Sequence, residues 1–219
     1  MKNQLTLFAI CALFGLLMNS CTKDNEQVFP VKFYPESIEV KSAARMFRST
    51  GEVKNAMEIS TALNGTPYFS LEKEPFDKNE LALTFTTEDS VVIGNSDLKF
   101  SVKRDGKQFL FYSKATIRVD ADPRNPNGTT LWHLLKYTYN GVPISRWNTA
   151  LTKETRVAYG NFKEIRLSAM AYLILRSSQG SVSSNSGLTF NEFNSESATK
   201  LQPDETVIVK EYELVLRSR

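Results

Sequence analysis

Few residues in this chain are equipped for acid–base, nucleophilic or metal chemistry. His133 is its one histidine, and Cys11 and Cys21 are its two cysteines. A lone histidine excludes multi-histidine metal sites. Any Ser-His-Asp triad would have to use His133, which follows Trp132 in an apolar run with no nucleophile motif nearby. That imidazole reads as a satisfied core or edge residue. No GxSxG elbow, HExxH, P-loop, GxGxxG or CxxC occurs in the chain. The 24 acidic residues are scattered, and two-carboxylate glycoside chemistry leaves no signature in such a pattern because its groups converge in space. The run Asp120-Ala121-Asp122-Pro123-Arg124-Asn125-Pro126-Asn127-Gly128 alternates hard oxygen donors suited to Ca²⁺. It departs from the EF-hand pattern, with Arg124 for a ligand, Asn125 for the glycine and Leu131 for the closing glutamate. Proline and asparagine at these spacings build turns unaided. The expectation is no metal and no cofactor.

Aromatic residues offer a different opening. Trp132, Tyr137, Tyr139 and Trp147 crowd one stretch, and Trp147 lies between Arg146 and Asn148. Flat rings on a β surface stack on the apolar faces of sugars, while neighbouring amides and carboxylates orient hydroxyls. These four are the candidate ligand-binding residues. The competing reading puts the same rings in the core, since aromatic burial dominates domain energetics.

Cys21 stands at the seam between an apolar run and a charged one. Lys2 is followed by the uncharged run LTLFAICALFGLLM, Leu5 to Met18. A basic start and an apolar core of about 7–15 residues describe a secretory signal, and a spanning helix needs about 20 apolar residues. Leu17-Met18-Asn19-Ser20-Cys21 resembles the lipobox of bacterial lipoproteins, with Met18 where Leu is commonest and Asn19 where Ala or Ser is commoner. The resemblance implies that the Cys21 thiol carries diacylglycerol after the leader is cut; two or more acyl chains hold a protein firmly to a bilayer. Lys23-Asp24-Asn25-Glu26 resembles the acidic export signal of Bacteroidetes-type surface lipoproteins, which implies the outer face of the outer membrane. Asp89-Ser90-Val91 resembles the O-glycosylation site of the same group, which implies a glycan on a surface-placed Ser90. The order GEVKNAMEIS, VAYGNF, LTFNEFN, ETVIVKEYEL is similar to a family of such lipoproteins that carries no assigned activity.

The expected organisation is a signal peptide over residues 1–20, a lipidated cysteine and tether over 21–30, and a single mainly-β domain over 31–219. With both cysteines at the start of the chain, such a domain has no disulfide and rests on its core, for which its length suffices. The 27 basic and 24 acidic residues are interspersed, without a stripe for nucleic acid.

Several elements must position the candidate residues. In LKFSVKRDGKQFLFY, Asp105-Gly106 suits a two-residue hairpin turn. That turn pairs Val102 with Phe109 and Phe100 with Phe111, all on one face. LWHLLKYTYNGVPI, residues 131–144, reads as a second hairpin turning at Asn140-Gly141, its return strand pushed to an edge by Pro143. Residues 165–175, IRLSAMAYLIL, become apolar on both faces and predict a central buried strand; residues 206–216, TVIVKEYELVL, predict a closing one. Shorter strands are expected at 37–40, 81–86, 114–119 and 156–159. Residues 51–65 favour a short helix, with Ser49 and Glu52 as a capping box and Gly65 past its end. Residues 177–187, SSQGSVSSNSG, read as a polar loop, and 191–198 as one helical turn. The sum is an antiparallel β-sandwich or barrel with one or two short helices.

Functionally, these readings point to a lipoprotein on the outer surface, acting as a non-catalytic binding module for glycan or nutrient beside outer-membrane transport proteins. The alternatives are a structural or adhesive surface subunit and a hydrolase with unidentified carboxylates.

Overall fold

The computed structural model describes residues 27–73, 81–94, 98–119, 129–140, 150–178 and 181–219. Cys21, Trp147 and the 120–128 run therefore lie outside the described residues. The strands are β1 (Val31–Val40), β2 (Arg45–Arg48), β3 (Gly51–Val53), β4 (Leu83–Thr87), β5 (Ser90–Ile93), β6 (Lys99–Asp105), β7 (Gln108–Val119), β8 (Ala150–Gly160), β9 (Glu164–Ser178), β10 (Ser181–Thr189) and β11 (Glu205–Ser218). Helix α1 spans Ala56–Ala62 and the one-turn helix α2 spans Leu131–Leu134. Among the described residues no helix is long and apolar enough to cross a membrane.

Antiparallel neighbours run in the order β10-β9-β8-β7-β6-β5-β4-β1-β11-β2-β3, and an additional β9–β11 pairing closes the ring from β9 round to β11. Of the two architectures open at the level of sequence, the chain therefore adopts an eight-stranded barrel. Its interior is filled by side chains, as this strand number allows. Phe33, Phe85, Phe100, Phe109 and Phe111 are completely buried, together with Leu83, Ile165 and Leu216. Phe85 lies at the centre, its ring centroid 5.3 Å from Phe162, 5.7 Å from Phe33, 6.0 Å from Phe109 and 6.1 Å from Phe111. Where the barrel wall continues into the longer strands, the Lys210 ammonium donates to the Phe69 carbonyl and to Glu72, and the buried Tyr212 hydroxyl donates to the Tyr68 carbonyl. Those bonds fix residues 66–73 against the core.

Strands β9 and β11 are longer than the barrel wall. On its other edge β9 pairs with β8 only over Ile165–Leu167, and farther along with β10 from Met170 to Ser178. Likewise β11 gives its second half to β1 and its first to β2. The result is a five-stranded extension, β10-β9-β11-β2-β3, growing out of the barrel. Its inner face continues the barrel core through Met46, Ala171, Leu173 and Ile208. Its outer face carries a second apolar layer of Phe47, Met170, Tyr172, Ile174, Val207 and Val209, covered by Leu134, Leu135, Phe193, Ala198 and Leu201.

Four expectations need correction. The β6–β7 hairpin forms, but Asp105 pairs with Gln108, so Gly106-Lys107 make the turn, with Gly106 at φ 57°. Val102 accordingly faces Phe111 and Phe100 faces Ser113. A slip of two residues preserves side-chain parity, and the same rings still point inward. Residues 131–134 are helical and not the first arm of a hairpin. The Thr130 amide donates to His133 Nδ1 at 3.0 Å and starts the turn, which lays Leu134 on the second apolar layer; residues 141–149 lie outside the described residues. Helix α1 forms, yet Asn55 caps it by accepting from the Met57 and Glu58 amides, while Glu52 pairs with Arg45 on the neighbouring strand. Finally, 181–189 is no loop but strand β10, held by its ladder on β9. The buried strand at 165–175, the closing strand at 206–216 and the helical turn near 191–198 are all present, the last as a 3₁₀ helix at Ser195–Lys200.

Candidate functional site

On the exterior of the barrel, β7 and β8 turn outward the residues that alternate with the buried Phe109 and Phe111. Gln108 stands opposite Tyr159 and Tyr112 opposite Thr155. Tyr137 and Tyr139 arrive from the segment after α2 and lie over these strands. The Tyr137 and Tyr159 hydroxyls are 3.2 Å apart, and Gln108 Nε2 donates to Tyr159 at 3.2 Å. The Tyr139 ring meets Tyr112 edge-on, centroids 5.3 Å apart, with the Lys153 ammonium 4.9 Å from its centre. Lys136 lies 5.3 Å from the Tyr137 ring. All four tyrosines are half-buried.

A buried amide holds this patch together. Asn191 is fully buried, and its Nδ2 donates to the Tyr137 carbonyl at 2.8 Å and the Thr155 carbonyl at 2.9 Å. Its Oδ1 accepts from the amides of Tyr137 and Glu192. One side chain therefore holds the tyrosine segment by two bonds to Tyr137 and joins it to β8 by one to Thr155, the fourth going to its own neighbour Glu192, which together use the full capacity of a primary amide. Next to it, the Glu192 carboxylate pairs with Lys136 at 2.8 Å and Lys41 at 3.1 Å. Burial opposes its ionisation, but the two ammonium groups outweigh burial and hold the carboxyl below the usual glutamate range.

The electrostatics make the patch a neutral hydrogen-bonding surface. Burial, then the bond with Tyr137, pushes the Tyr159 hydroxyl well above the ordinary phenol range. Burial and Tyr139 push Tyr112 up as well. Phenols so shifted stay protonated at neutral pH, each both donor and acceptor, beside two cations. Among the described residues, no buried side-chain nitrogen or oxygen lacks a hydrogen-bond partner, and no three His, Cys, Asp or Glu residues are grouped to hold a metal ion.

The remaining candidates fall elsewhere. Trp132 is half-buried on α2 and packs against the second apolar layer. His133 serves that helix: an Nδ1 that accepts from the Thr130 amide leaves the ring proton on Nε2, and burial holds its pKa below the usual value. Ser90 begins β5, half-buried on the barrel exterior, since Val91 and Ile93 take the inward positions. The structure thus joins Tyr137 and Tyr139 and adds Tyr112, Tyr159, Gln108, Lys153 and Asn191, which sequence reasoning missed. The outward alternation of Tyr112 with Leu110 carried part of that signal; Asn191 carried none.

A second polar cluster lies at the far end of the extension. The buried Glu205 carboxylate accepts from the Thr129 amide and hydroxyl at 2.7 Å, the Gln202 amide at 3.1 Å and Arg176 Nε at 3.1 Å, while Arg176 also donates to the Thr129 carbonyl. Burial opposes its charge, but these donors prevail and hold its pKa below the usual range. Every acceptor site is used, so this cluster is a structural clamp.

Comparison with protein-family models, curated proteins and solved structures finds no match for this chain.

Proposed function

We propose that this protein is a lipid-anchored, surface-exposed binding module that takes carbohydrate on the tyrosine patch of β7, β8 and the 135–140 segment. The observation that carries the reading is the Tyr112–Tyr139 pair with Lys153 beside it and the Tyr137–Tyr159–Gln108 hydroxyl and amide chain next to it. Rings supply faces for sugar C–H groups, neutral phenols and an amide match hydroxyls, and the lysines favour sugars that bear carboxylates. A pre-formed rigid surface of this kind loses little entropy on binding.

The anchor belongs to the same proposal: Cys21 carries the lipid, residues 23–26 direct the chain outward, and outer-membrane transport proteins receive what is bound. Ser90, on the barrel exterior, is available for a glycan of its own. Mass spectrometry of the protein from its native host is expected to find diacylglycerol on Cys21 at the mature terminus; an unmodified terminus at another residue refutes the anchor. Binding is tested on a glycan array with the purified protein and its Tyr139→Ala variant. The expected result is binding that falls at least tenfold in the variant at unchanged thermal stability. A blank array across plant and host polysaccharides, or binding indifferent to Tyr139 and Lys153, overturns the reading.

A further inference from the structure

The two ends of the extension differ in how they finish. β3 is three residues long, carries Glu52 paired with Arg45, and runs into α1. Shortness and charge are among the usual protections of a sheet edge. β10 is nine residues long, SVSSNSGLT, with no charged residue and no proline. Its first six residues are exposed, and among the described residues no strand pairs with its outer edge. Small side chains leave that row of amides and carbonyls open.

We propose that β10 pairs antiparallel with β10 of a second copy of this chain, about a two-fold axis perpendicular to the sheet that runs midway between the two Asn185 residues. The strand is self-complementary about that residue. With Asn185 opposite its own copy, Ser184 meets Ser186, Ser183 meets Gly187, Val182 meets Leu188 and Ser181 meets Thr189. Each contact occurs twice about the axis, as an isologous interface requires, and the polar Ser184–Ser186 and Ser181–Thr189 pairs and the apolar Val182–Leu188 pair match in polarity. The Val182–Leu188 pair is the discriminating one. Val182 is 68% exposed, and in β10's alternation it shares a face with Leu188, which packs on the barrel core beside Ala171. Pairing brings Val182 of one copy onto Leu188 of the other, continuing the inner apolar face across the junction. A one-residue slip would set Val182 against Gly187 and Ser181 against Leu188, so that the apolar pair is lost while the polar pairs between them persist. Main-chain hydrogen bonds supply the affinity and the palindrome supplies the register, as in strand addition generally. This surface lies on the extension and makes no use of the tyrosine patch, so the two proposals stand or fall separately.

The axis residue provides the test. Asn185→Lys sets an ammonium against its own copy, and Asn185→Asp sets a carboxylate against its own; like charges directly opposite destabilise a pair of strands. In sedimentation over a concentration series, the purified protein is expected to approach twice the monomer mass, while each variant alone stays at monomer mass with unchanged circular dichroism. An equimolar mixture of the two variants is expected to regain the dimer, because unlike charges then meet at the axis. A strictly monomeric protein at its solubility limit overturns the proposal. So does a dimer indifferent to both substitutions, and so do variants that remain apart when mixed.

Discussion

Strands β9 and β11 pass through two regions that solve the burial problem differently. In the barrel half, one face is core and the other is wet: Ile165, Leu167, Leu214 and Leu216 point inward. Their neighbours Glu164, Arg166, Glu213 and Arg217 form an exterior chain of ion pairs, with Arg166 reaching Glu39, Glu164 and Glu213. In the extension both faces of β9 and β11 are dry. Ala171, Leu173 and Ile208 continue the barrel core, whereas Met170, Tyr172, Ile174, Val207 and Val209 lie under short irregular segments. The contrast teaches where each region obtains its uniqueness. The barrel half is closed on itself and held by interlocking rings. The extension has no such closure, so buried polar groups pin its cover at two points: Asn191 and Glu192 on the barrel side, Glu205 and Arg176 at the tip.

The sharpest way to break this comparison is to remove its central ring. Phe85→Ala is expected to cost about 3–5 kcal/mol in urea unfolding, the range for a fully buried phenylalanine, and to lower stability more than Phe47→Ala in the thinner second layer. Equal losses would mean that the two layers are equally packed. Second in size is Glu205→Gln, at roughly 3 kcal/mol, the lower end for breaking a buried ion pair. Its effect is tied to pH. Because the folded pKa lies below the unfolded value of about 4.3, the carboxylate contributes fully above that pH and its contribution disappears as pH falls through the folded pKa. Urea midpoints across the acid range are expected to show the gap between wild type and variant narrowing below about pH 4.3; a constant gap would refute the role of the charge. The smallest effect is that of Asn191→Ala, about 1–3 kcal/mol for the backbone groups it leaves unpaired. Hydrogen exchange at the Tyr137 amide is expected to accelerate while exchange in β9 and β11 changes little. Uniform acceleration would show that the tyrosine segment and the barrel unfold as one.

Much of the ribbon was legible beforehand. Ile165-Arg166-Leu167-Ser168 alternates and the following AMAYLIL does not; Val207-Ile208-Val209 is continuous and the following KEYEL alternates. Read antiparallel, the two strands pass from one-faced to two-faced burial at the same level, and that pattern is written in side-chain polarity alone. β10 could not be read this way. Its serines, asparagine and glycine have no face to prefer, and it is a strand only because β9 offers a free row of hydrogen-bonding groups. Residues 131–135 misled for a related reason: Leu131, Trp132, Leu134 and Leu135 suit a strand or a helical turn, and the Thr130–His133 bond decides between them. Half of the site was anticipated as Tyr137 and Tyr139, because clustered aromatics stand out in a chain. Tyr112 and Tyr159, 47 residues apart in sequence, become neighbours only through strand register.

From composition and periodicity alone, the sequence determined a mainly β architecture, the central strand pair and the rings destined for burial, since hydrophobic free energy depends on each residue's own surface. Closure of the barrel by β9 and β11, the fully bonded position of Asn191 and the meeting of four tyrosines were decided by tertiary structure. Each depends on hydrogen-bonding directions between segments far apart in the chain, and direction is a property that residue type alone does not carry.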